Sequence, residues 1–242
     1  MPMIRAVVLA AALVPAAAAS YLVDLRATPT VAGARLRIAV KEAGGVSTVR
    51  RFALVHEHPM HLFVVGEGLE FFAHEHPAPQ PDGLFMVDLT LPRQGAYMAI
   101  VEFQPDGLPP QMVHQAFTTG AAFTRVVRPA LDAGPKIVDG MRVSLDVSNL
   151  KAGAVTPVTV RIDDAATGAP VADLEPLHGA AAHLIAVSAD MTEAVHDHPA
   201  AGAAGSSIAF RPLIPVAGVF KMWVEFQRGG RVTTAPFVIE VP

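Results

Sequence analysis

The feature that most constrains the fold is an internal repeat. The segment from His56 to Pro77 matches the segment from His178 to Pro199 at a fixed offset of 122 residues. Further along, Pro92–Gly107 matches Pro215–Gly230 at an offset of 123, so the loop between the two matched blocks is one residue longer in the second copy. Two copies of one unit of roughly 100 residues, the size of a small domain, therefore account for most of the chain.

Strand signals dominate both copies. Short runs such as Arg35–Val40 and His61–Val65 are rich in branched apolar residues, and Gly, Pro and Asp lie between them. This pattern is typical of a sandwich of short antiparallel strands, and the 21 prolines disfavour long helices. We predict an all-β protein with two tandem immunoglobulin-like or cupredoxin-like β-sandwich domains after a signal peptide.

The N-terminal segment has the composition of a secretory signal peptide. Arg5 precedes an apolar run from Ala6 to Val14, and small residues follow up to Ala19. A buried N-terminal helix is the alternative interpretation. The run is shorter than the ~20 apolar residues of a membrane span, and no later segment reaches that length. We predict a periplasmic or secreted protein with no membrane span in the mature chain. Its segments would be a signal peptide at 1–19, the first repeat at 20–122, a linker at 123–136 and the second repeat at 137–242.

Charge and cysteine content exclude several classes of function. The formal net charge is −4 and the chain has no basic stripe, which argues against a nucleic-acid partner. The absence of cysteine rules out thiolate metal sites, cysteine nucleophiles and type 1 copper. Neither a Gly-x-Ser-x-Gly motif nor a phosphate-binding glycine loop occurs. We therefore predict that the protein is not an enzyme.

Histidine is concentrated in the two copies of the repeat. Nine of the ten histidines lie within residues 56–76 and 178–198, and four positions recur in the pattern His-x4-His-x12-His-x-His. In a strand, residues two apart point to the same face, so His74 and His76 can reach one metal ion. The recurring positions are His56, His61, His74 and His76 in the first copy, and His178, His183, His196 and His198 in the second.

A carboxylate recurs with the histidines. The sequence Val-Glu-Phe-Gln places Glu102 and Glu225 among apolar strand residues, where an unpaired charge is costly to bury. A metal ion or a histidine partner would account for it. Zinc and copper suit imidazole and carboxylate ligands about equally. The hypothesis is one copper or zinc site per repeat, with His56 and His178 as additional ligands or as groups that orient the ligands. One site would be formed by His61, His74, His76 and Glu102, and the other by His183, His196, His198 and Glu225.

Other interpretations remain open. The histidines and glutamates can instead brace the fold through hydrogen bonds, in a non-catalytic interaction module that binds another envelope protein. Met60, Met112 and Met191 are either core residues or thioether ligands for copper(I). His114 has no histidine counterpart in the second copy and is expected to be a surface or local residue.

The first copy resembles a known family. The run MHLFVVGEGLEFFAHEHP, followed by Gly95–Tyr97 and Glu102–Gly107, is similar to the YtkA-like, heavy-metal-associated domains of exported bacterial proteins. The resemblance covers residues 56–107 well and 178–230 more loosely, where Arg228 replaces a motif proline. It implies an exported β-sandwich associated with copper or other heavy metals. It also implies that His61, His74 and His76 are the motif histidines, and that Glu102 lies where the family usually has Asp.

Overall fold

A computed structural model describes residues 21–42, 44–120, 129–200, 202–203 and 205–242. The predicted signal peptide lies outside these residues, as does the predicted linker up to residue 128. The described residues form strands, turns and irregular segments without a helix, and so include no helix long and apolar enough to cross a membrane.

Seventeen strands follow one another along the described chain. Those of the first repeat are β1 (Leu22–Pro29), β2 (Gly33–Lys41), β3 (Met60–Gly66), β4 (Phe72–Glu75), β5 (Ala78–Pro79), β6 (Phe85–Thr90), β7 (Ala96–Phe103) and β8 (Gln111–Thr118). Those of the second are β9 (Lys136–Val138), β10 (Met141–Asp146), β11 (Val158–Asp164), β12 (Leu174–Glu175), β13 (His183–Ser188), β14 (Ala194–Asp197), β15 (Ser207–Phe210), β16 (Gly218–Arg228) and β17 (Arg231–Val241).

Each repeat is a sandwich of two antiparallel sheets. The first repeat has sheets in the order β1-β2-β6-β5 and β4-β3-β7-β8. The second has a sheet β15-β11-β10-β9 and a five-stranded sheet, in which β16 pairs with β12, β13 and β17, and β14 lies beside β13. The prediction of an all-β tandem sandwich is confirmed.

Each sandwich encloses its own apolar core. In the first repeat, Leu36 and Ile38 of β2 meet Leu62 of β3 and Val101 of β7, all fully buried. The core of the second repeat is built in the same way from the two sheets of that repeat. Each repeat therefore has the apolar interior expected of a folded domain.

A third apolar cluster lies between the repeats. On β3, Leu62 and Val64 face the core of their own repeat, and the alternate residues Phe63 and Val65 belong to this third cluster. Every residue of β3 is therefore buried, as is every residue of β13. The fully buried and nearly buried members of the cluster come from both repeats: Phe63, Val65, Leu69, Ile100, Ile185, Val187 and Trp223. We call β4-β3-β7-β8 and the five-stranded sheet the inner sheets, because they pack against each other.

Strand register places the predicted site residues at one end of this inter-repeat face. In the first repeat, His61 on β3 lies opposite Glu102 on β7. This pair is two residues along the strands from the apolar pair of Phe63 and Ile100, and so lies on the same face of the sheet. In the second repeat, His183 lies opposite Glu225 in the same way. The inner sheets thus present an apolar face that ends in a patch of histidine and glutamate.

Candidate metal centre

Three imidazoles of the first repeat converge at the polar end of the interface. His61 projects from β3 and His74 from the neighbouring β4, where Phe63 is its cross-strand partner. His76 follows directly after β4. His61 Nδ1 lies 3.2 Å from His74 Nε2 and 3.1 Å from His76 Nε2. We call these three residues site 1.

The outward nitrogen of His61 fixes its tautomer. His61 Nε2 donates a hydrogen bond to the carbonyl oxygen of Val55 at 2.9 Å, because a carbonyl can only accept. Neutral His61 therefore presents a lone pair at Nδ1 toward the other two imidazoles. Such a contact on the outward nitrogen is the usual way in which a ligating histidine is oriented.

The outward nitrogen of His74 contacts a carboxylate of the other repeat. His74 Nδ1 lies 2.7 Å from Glu225 Oε2, and both side chains are nearly inaccessible to solvent. Thr234 Oγ1 donates a hydrogen bond to the second oxygen of the same carboxylate. Site 1 is therefore built from both repeats, although its three imidazoles come from the first.

The second repeat contains an equivalent arrangement, site 2, formed by His183, His196 and His198. His183 Nε2 donates to the carbonyl oxygen of Leu177 at 2.8 Å, and its Nδ1 lies 3.2 Å from His196 Nε2 and 2.9 Å from His198 Nε2. His196 Nδ1 lies 2.5 Å from Glu102 Oε2 of the first repeat. The two carboxylates are thus exchanged between the repeats.

The sequence-based hypothesis assigned each glutamate to the histidines of its own repeat. The structure brings all of these residues into one cluster, but each carboxylate contacts the neighbouring repeat. Glu102 and His61 lie side by side on one inner sheet, and the Glu102 side chain extends across the interface to His196 of the other sheet. The sites are contiguous, because His196 also offers a nitrogen within 4.8 Å of those of His61 and His74.

Burial determines the protonation of these groups. Desolvation lowers the pKa of His61 to about 4, and the pKa of both His74 and His183 to about 3. These imidazoles are therefore neutral near pH 7, which is the form that binds metal ions. Burial also raises the pKa of Glu102 and Glu225 to about 7, so their carboxyl groups exchange protons near neutrality.

Two proton arrangements satisfy the contact between His74 and Glu225. A protonated Glu225 donates to His74 Nδ1, and the Nε2–H of His74 then donates to His61, which gives a continuous hydrogen-bond network. An ionised Glu225 instead accepts from the Nδ1–H of His74, and lone pairs of His61 and His74 then face each other at 3.2 Å. A cation between the two nitrogens stabilises the second arrangement.

The spacing of the nitrogens fits a metal ion. Two nitrogens bound at ~2.0 Å to one tetrahedral zinc ion lie ~3.3 Å apart, close to the separations of 3.1 Å and 3.2 Å in site 1. Among the residues that the structure describes, three groups of histidines have ligand nitrogens within 4.8 Å of one another, the spacing that a shared metal ion requires. They are His61, His74 and His196; His183, His196 and His198; and His58, His76 and His178. Site 2 is one of these groups, whereas His61 and His74 of site 1 are grouped with His196 in place of His76.

His56 and His178 occupy equivalent turns beside the two sites. Val55 and His58 bond to each other across the turn that holds His56, and Leu177 and Ala180 do so across the turn that holds His178. His56 stacks on His198 of the other repeat, with ring centroids 3.6 Å apart. The ring of His178 likewise packs against a histidine of the other repeat, His76, with ring centroids 4.1 Å apart. Both residues lie at the cluster, as the sequence indicated, but each faces the other repeat.

His58 is the cluster residue that sequence reasoning missed. It does not recur, because the second copy has Ala180 at the corresponding position, yet its ring stacks on that of His76 with centroids 3.6 Å apart. A signal was available in the sequence, since His56–Pro59 repeats the tetrapeptide of His74–Pro77 within one copy.

The other candidates lie away from the cluster's nitrogens. Met60 is fully buried in the core of the first repeat, and Met112 and Met191 pack at the apolar inter-repeat cluster. His114 was expected to be a surface or local residue. It is half-buried and donates from Nδ1 to the carbonyl oxygen of Met191, across the interface.

A family model matches the second repeat. Residues 136–242 match a family described as a domain of unknown function, DUF8832. The comparison with curated proteins gave no match.

Several solved structures are similar to the chain at low sequence identity. One is the BSP domain of a biofilm-associated protein, with 13% identity over 90% of this chain and a TM-score of 0.24; this chain spans 29% of its length. Another is domains 4 and 5 of the S-layer protein SbsC, with 13% identity, coverage of 91% of this chain and 98% of that one, and a TM-score of 0.25. A third is a tandem pair of titin immunoglobulin domains, with 12% identity, coverage of 93% and 97%, and a TM-score of 0.22.

Proposed function

We propose that this protein binds transition-metal ions, copper or zinc, at sites 1 and 2 between its repeats. The observation that carries the proposal is that, in each site, one imidazole nitrogen lies within 3.2 Å of the nitrogens of two other imidazoles, with two of the outward nitrogens held by a carbonyl and a carboxylate. In site 1, His61 Nδ1 lies 3.2 Å from His74 Nε2 and 3.1 Å from His76 Nε2. Site 2 repeats this arrangement, so the convergence occurs twice in one chain.

The chemistry of the ligands supports zinc or copper over hard cations. Neutral imidazole suits zinc and copper, and magnesium and calcium prefer oxygen ligands. Three imidazoles per site leave a coordination position for water or for a transferred ligand. Such a site suits a protein that takes up and releases metal. In line with the signal-like composition of residues 1–19 and the resemblance to heavy-metal-associated domains, we place this role in the cell envelope.

A structural hydrogen-bond network is the rival function. The raised pKa of Glu102 and Glu225, about 7 for each, favours it, because a protonated carboxyl completes the chain of hydrogen bonds without a metal. In that case the histidines hold the two repeats together, and the protein acts as an interaction module.

Metal titration distinguishes these functions. We expect metal-stripped protein to bind two equivalents of Zn²⁺ or Cu²⁺. At a hundredfold excess of free ion over the dissociation constant, each occupied site contributes ~2.7 kcal/mol, which raises the melting temperature by roughly 5–10 °C per site. The double variant His61→Ala/His183→Ala, checked for folding by circular dichroism, should lose both equivalents. His114→Ala is the matched control, since it removes the one histidine outside the repeat windows. Folded wild-type protein that binds neither ion would overturn the proposal.

A further inference from the structure

A third group of histidines overlaps site 1 at His76 and adds two histidines that belong to neither site. His58, His76 and His178 offer nitrogens within 4.8 Å of one another, and all three side chains are half-buried. His58 Nε2 and His178 Nδ1 are 3.1 Å apart. We call this group the outer trio. It combines two residues of the first repeat with one of the second.

The outer trio has no counterpart on the other side of the cluster. The repeat relates His76 to His198 and His178 to His56, but it relates His58 to Ala180. On that side, His56 lies flat against His198 with an interplanar angle of 27°. On the trio side, His58 stacks on the ring of His76. The ring planes of His76 and His178 are tilted by 55°. Among the described residues, the trio side therefore has an additional imidazole, His58, whose Nε2 contacts Nδ1 of the turn histidine His178.

Exposure separates the outer trio from the sites beneath it. His61 and His183, at the centres of sites 1 and 2, are 1% and 0% exposed. A hydrated metal ion therefore cannot contact them before it has passed the half-buried residues at the surface of the cluster. On the site 1 side, the half-buried outer trio lies next to buried His61 through the contact between His76 and His61.

His76 belongs to both the outer trio and site 1. Its Nε2 lies 3.1 Å from His61 Nδ1, and its ring stacks on His58. An ion bound to the trio is therefore already bound to one ligand of site 1. Exchange of His58 and His178 for His61 and His74 would complete its transfer without release into solvent.

The backbone also holds the trio in place. His178 has φ of +47°, in the left-handed region that non-glycine residues rarely occupy. Its turn is closed by two hydrogen bonds between Leu177 and Ala180, at 2.8 Å and 3.0 Å. Conformations of this kind persist where the surrounding structure enforces them, and they cluster at functional sites.

We infer that the outer trio is a metal exchange site that loads and unloads site 1, and that site 2 lacks such a site. This inference rests on the proposed function, because it requires sites 1 and 2 to bind metal. It assigns His58 a kinetic role that equilibrium binding does not require, since sites 1 and 2 keep all their ligands without it.

Loading kinetics test the inference. Metal-stripped protein is mixed in a stopped-flow instrument with Zn²⁺ held by a colorimetric chelator, whose absorbance reports zinc transfer. Wild type should take up two equivalents in two phases of equal amplitude. In His58→Ala the fast phase should become roughly tenfold slower, at the lower end of the effects seen for residues next to a metal site. Both equivalents should still be bound at equilibrium.

Ala180→His supplies the converse variant, because it places an imidazole beside His56 and His198. The slow phase of wild type should then accelerate to match the fast one. A single phase in wild type, or two phases unchanged in His58→Ala, would overturn the exchange site while two equivalents of bound zinc leave the proposed function intact. No zinc uptake by folded wild type would overturn both.

Discussion

The two repeats share the buried part of the histidine cluster and differ at its surface. In each repeat a buried histidine, His61 or His183, donates to a turn carbonyl and directs its other nitrogen at two further imidazoles. Above these matched sites, the first repeat has His58 and Glu57 where the second has Ala180 and Gly179. The repeats therefore diverged in the outer residues and kept the inner ones.

The exchanged carboxylates give a physical reason for this difference. Site 1 depends on Glu225 of the second repeat, and site 2 depends on Glu102 of the first. Each site therefore needs residues from both inner sheets, whereas the residues of an outer turn lie on only one side of the cluster. The apolar part of the interface accommodates more sequence divergence between the repeats. Trp223 stacks on Phe72 with ring centroids 4.5 Å apart, although the corresponding residues of the other repeat are the smaller Ile100 and Ala194.

The largest expected effect is a loss of folding stability in acid, caused by the buried histidines that both repeats share. The folded pKa values of His61, His74 and His183 are about 4, 3 and 3, below the ordinary value of 6.5. The folded state therefore binds fewer protons than the unfolded state, and stability present above pH 6.5 is lost as the pH falls toward 4. For His61 the loss approaches ~3 kcal/mol. The melting temperature of the metal-free protein should fall steeply between pH 6.5 and pH 4.5.

The two carboxyl groups oppose this effect in part. Their folded pKa of about 7 exceeds the ordinary 4.5, so their contribution is lost as the pH rises from 4.5 to 7. The depressed imidazoles outnumber them, so the net change on acidification is destabilising. His61→Gln/His183→Gln should flatten the pH dependence. A melting temperature that stays constant or rises toward pH 4.5 would contradict the burial of neutral imidazoles.

Removal of one carboxylate should break the symmetry of the two sites. In Glu225→Gln, we expect site 1 to lose 10–100-fold in zinc affinity, about 1.4–2.7 kcal/mol, because His74 loses the group that orients it. The measurement is calorimetric titration in a His183→Ala background, where only site 1 binds. Glu102→Gln in the same background is the control and should leave the affinity little changed. The reverse result would mean that each carboxylate acts within its own repeat.

The sequence was sufficient to predict the sandwiches because their signals are local. Branched apolar residues with Gly and Pro between them predicted strands at Arg35–Val40 and His61–Val65, where the structure has β2 and β3, and the same local signals occur in both copies. The recurrence of four histidines and one glutamate also identified the inner residues of the cluster. These inferences need only the periodicity of a strand and a comparison of the chain with itself.

Strand periodicity and repeat comparison do not predict the contacts between the repeats. The continuous apolar run of β3 indicates burial on both faces, but it does not identify the second partner. Sequence offset paired Glu102 with the histidines of its own copy, whereas its carboxylate crosses the interface to His196. His58 was missed for a related reason, since its partner His178 lies in the other repeat. A comparison of the two copies detects only residues that recur, and the outer trio includes His58, which does not recur.

The smallest expected effect concerns the turns at the surface of the cluster, where the repeats differ most. Both central residues of each turn have positive φ, +46° and +72° at His56 and Glu57, and +47° and +76° at His178 and Gly179. Such two-residue turns favour glycine at the second position, so the first repeat carries strain at Glu57 that the second avoids. Glu57→Gly should stabilise the protein by about 1 kcal/mol, measured by urea unfolding. Gly179→Ala should destabilise it by a similar amount, because φ of +76° is unfavourable for a residue with a side chain. The added Cβ itself would make only an ordinary contact with the side chain of Glu57, at 3.6 Å. Destabilisation by Glu57→Gly would instead show that contacts of the Glu57 side chain outweigh its backbone strain, and that the two turns are held by different interactions.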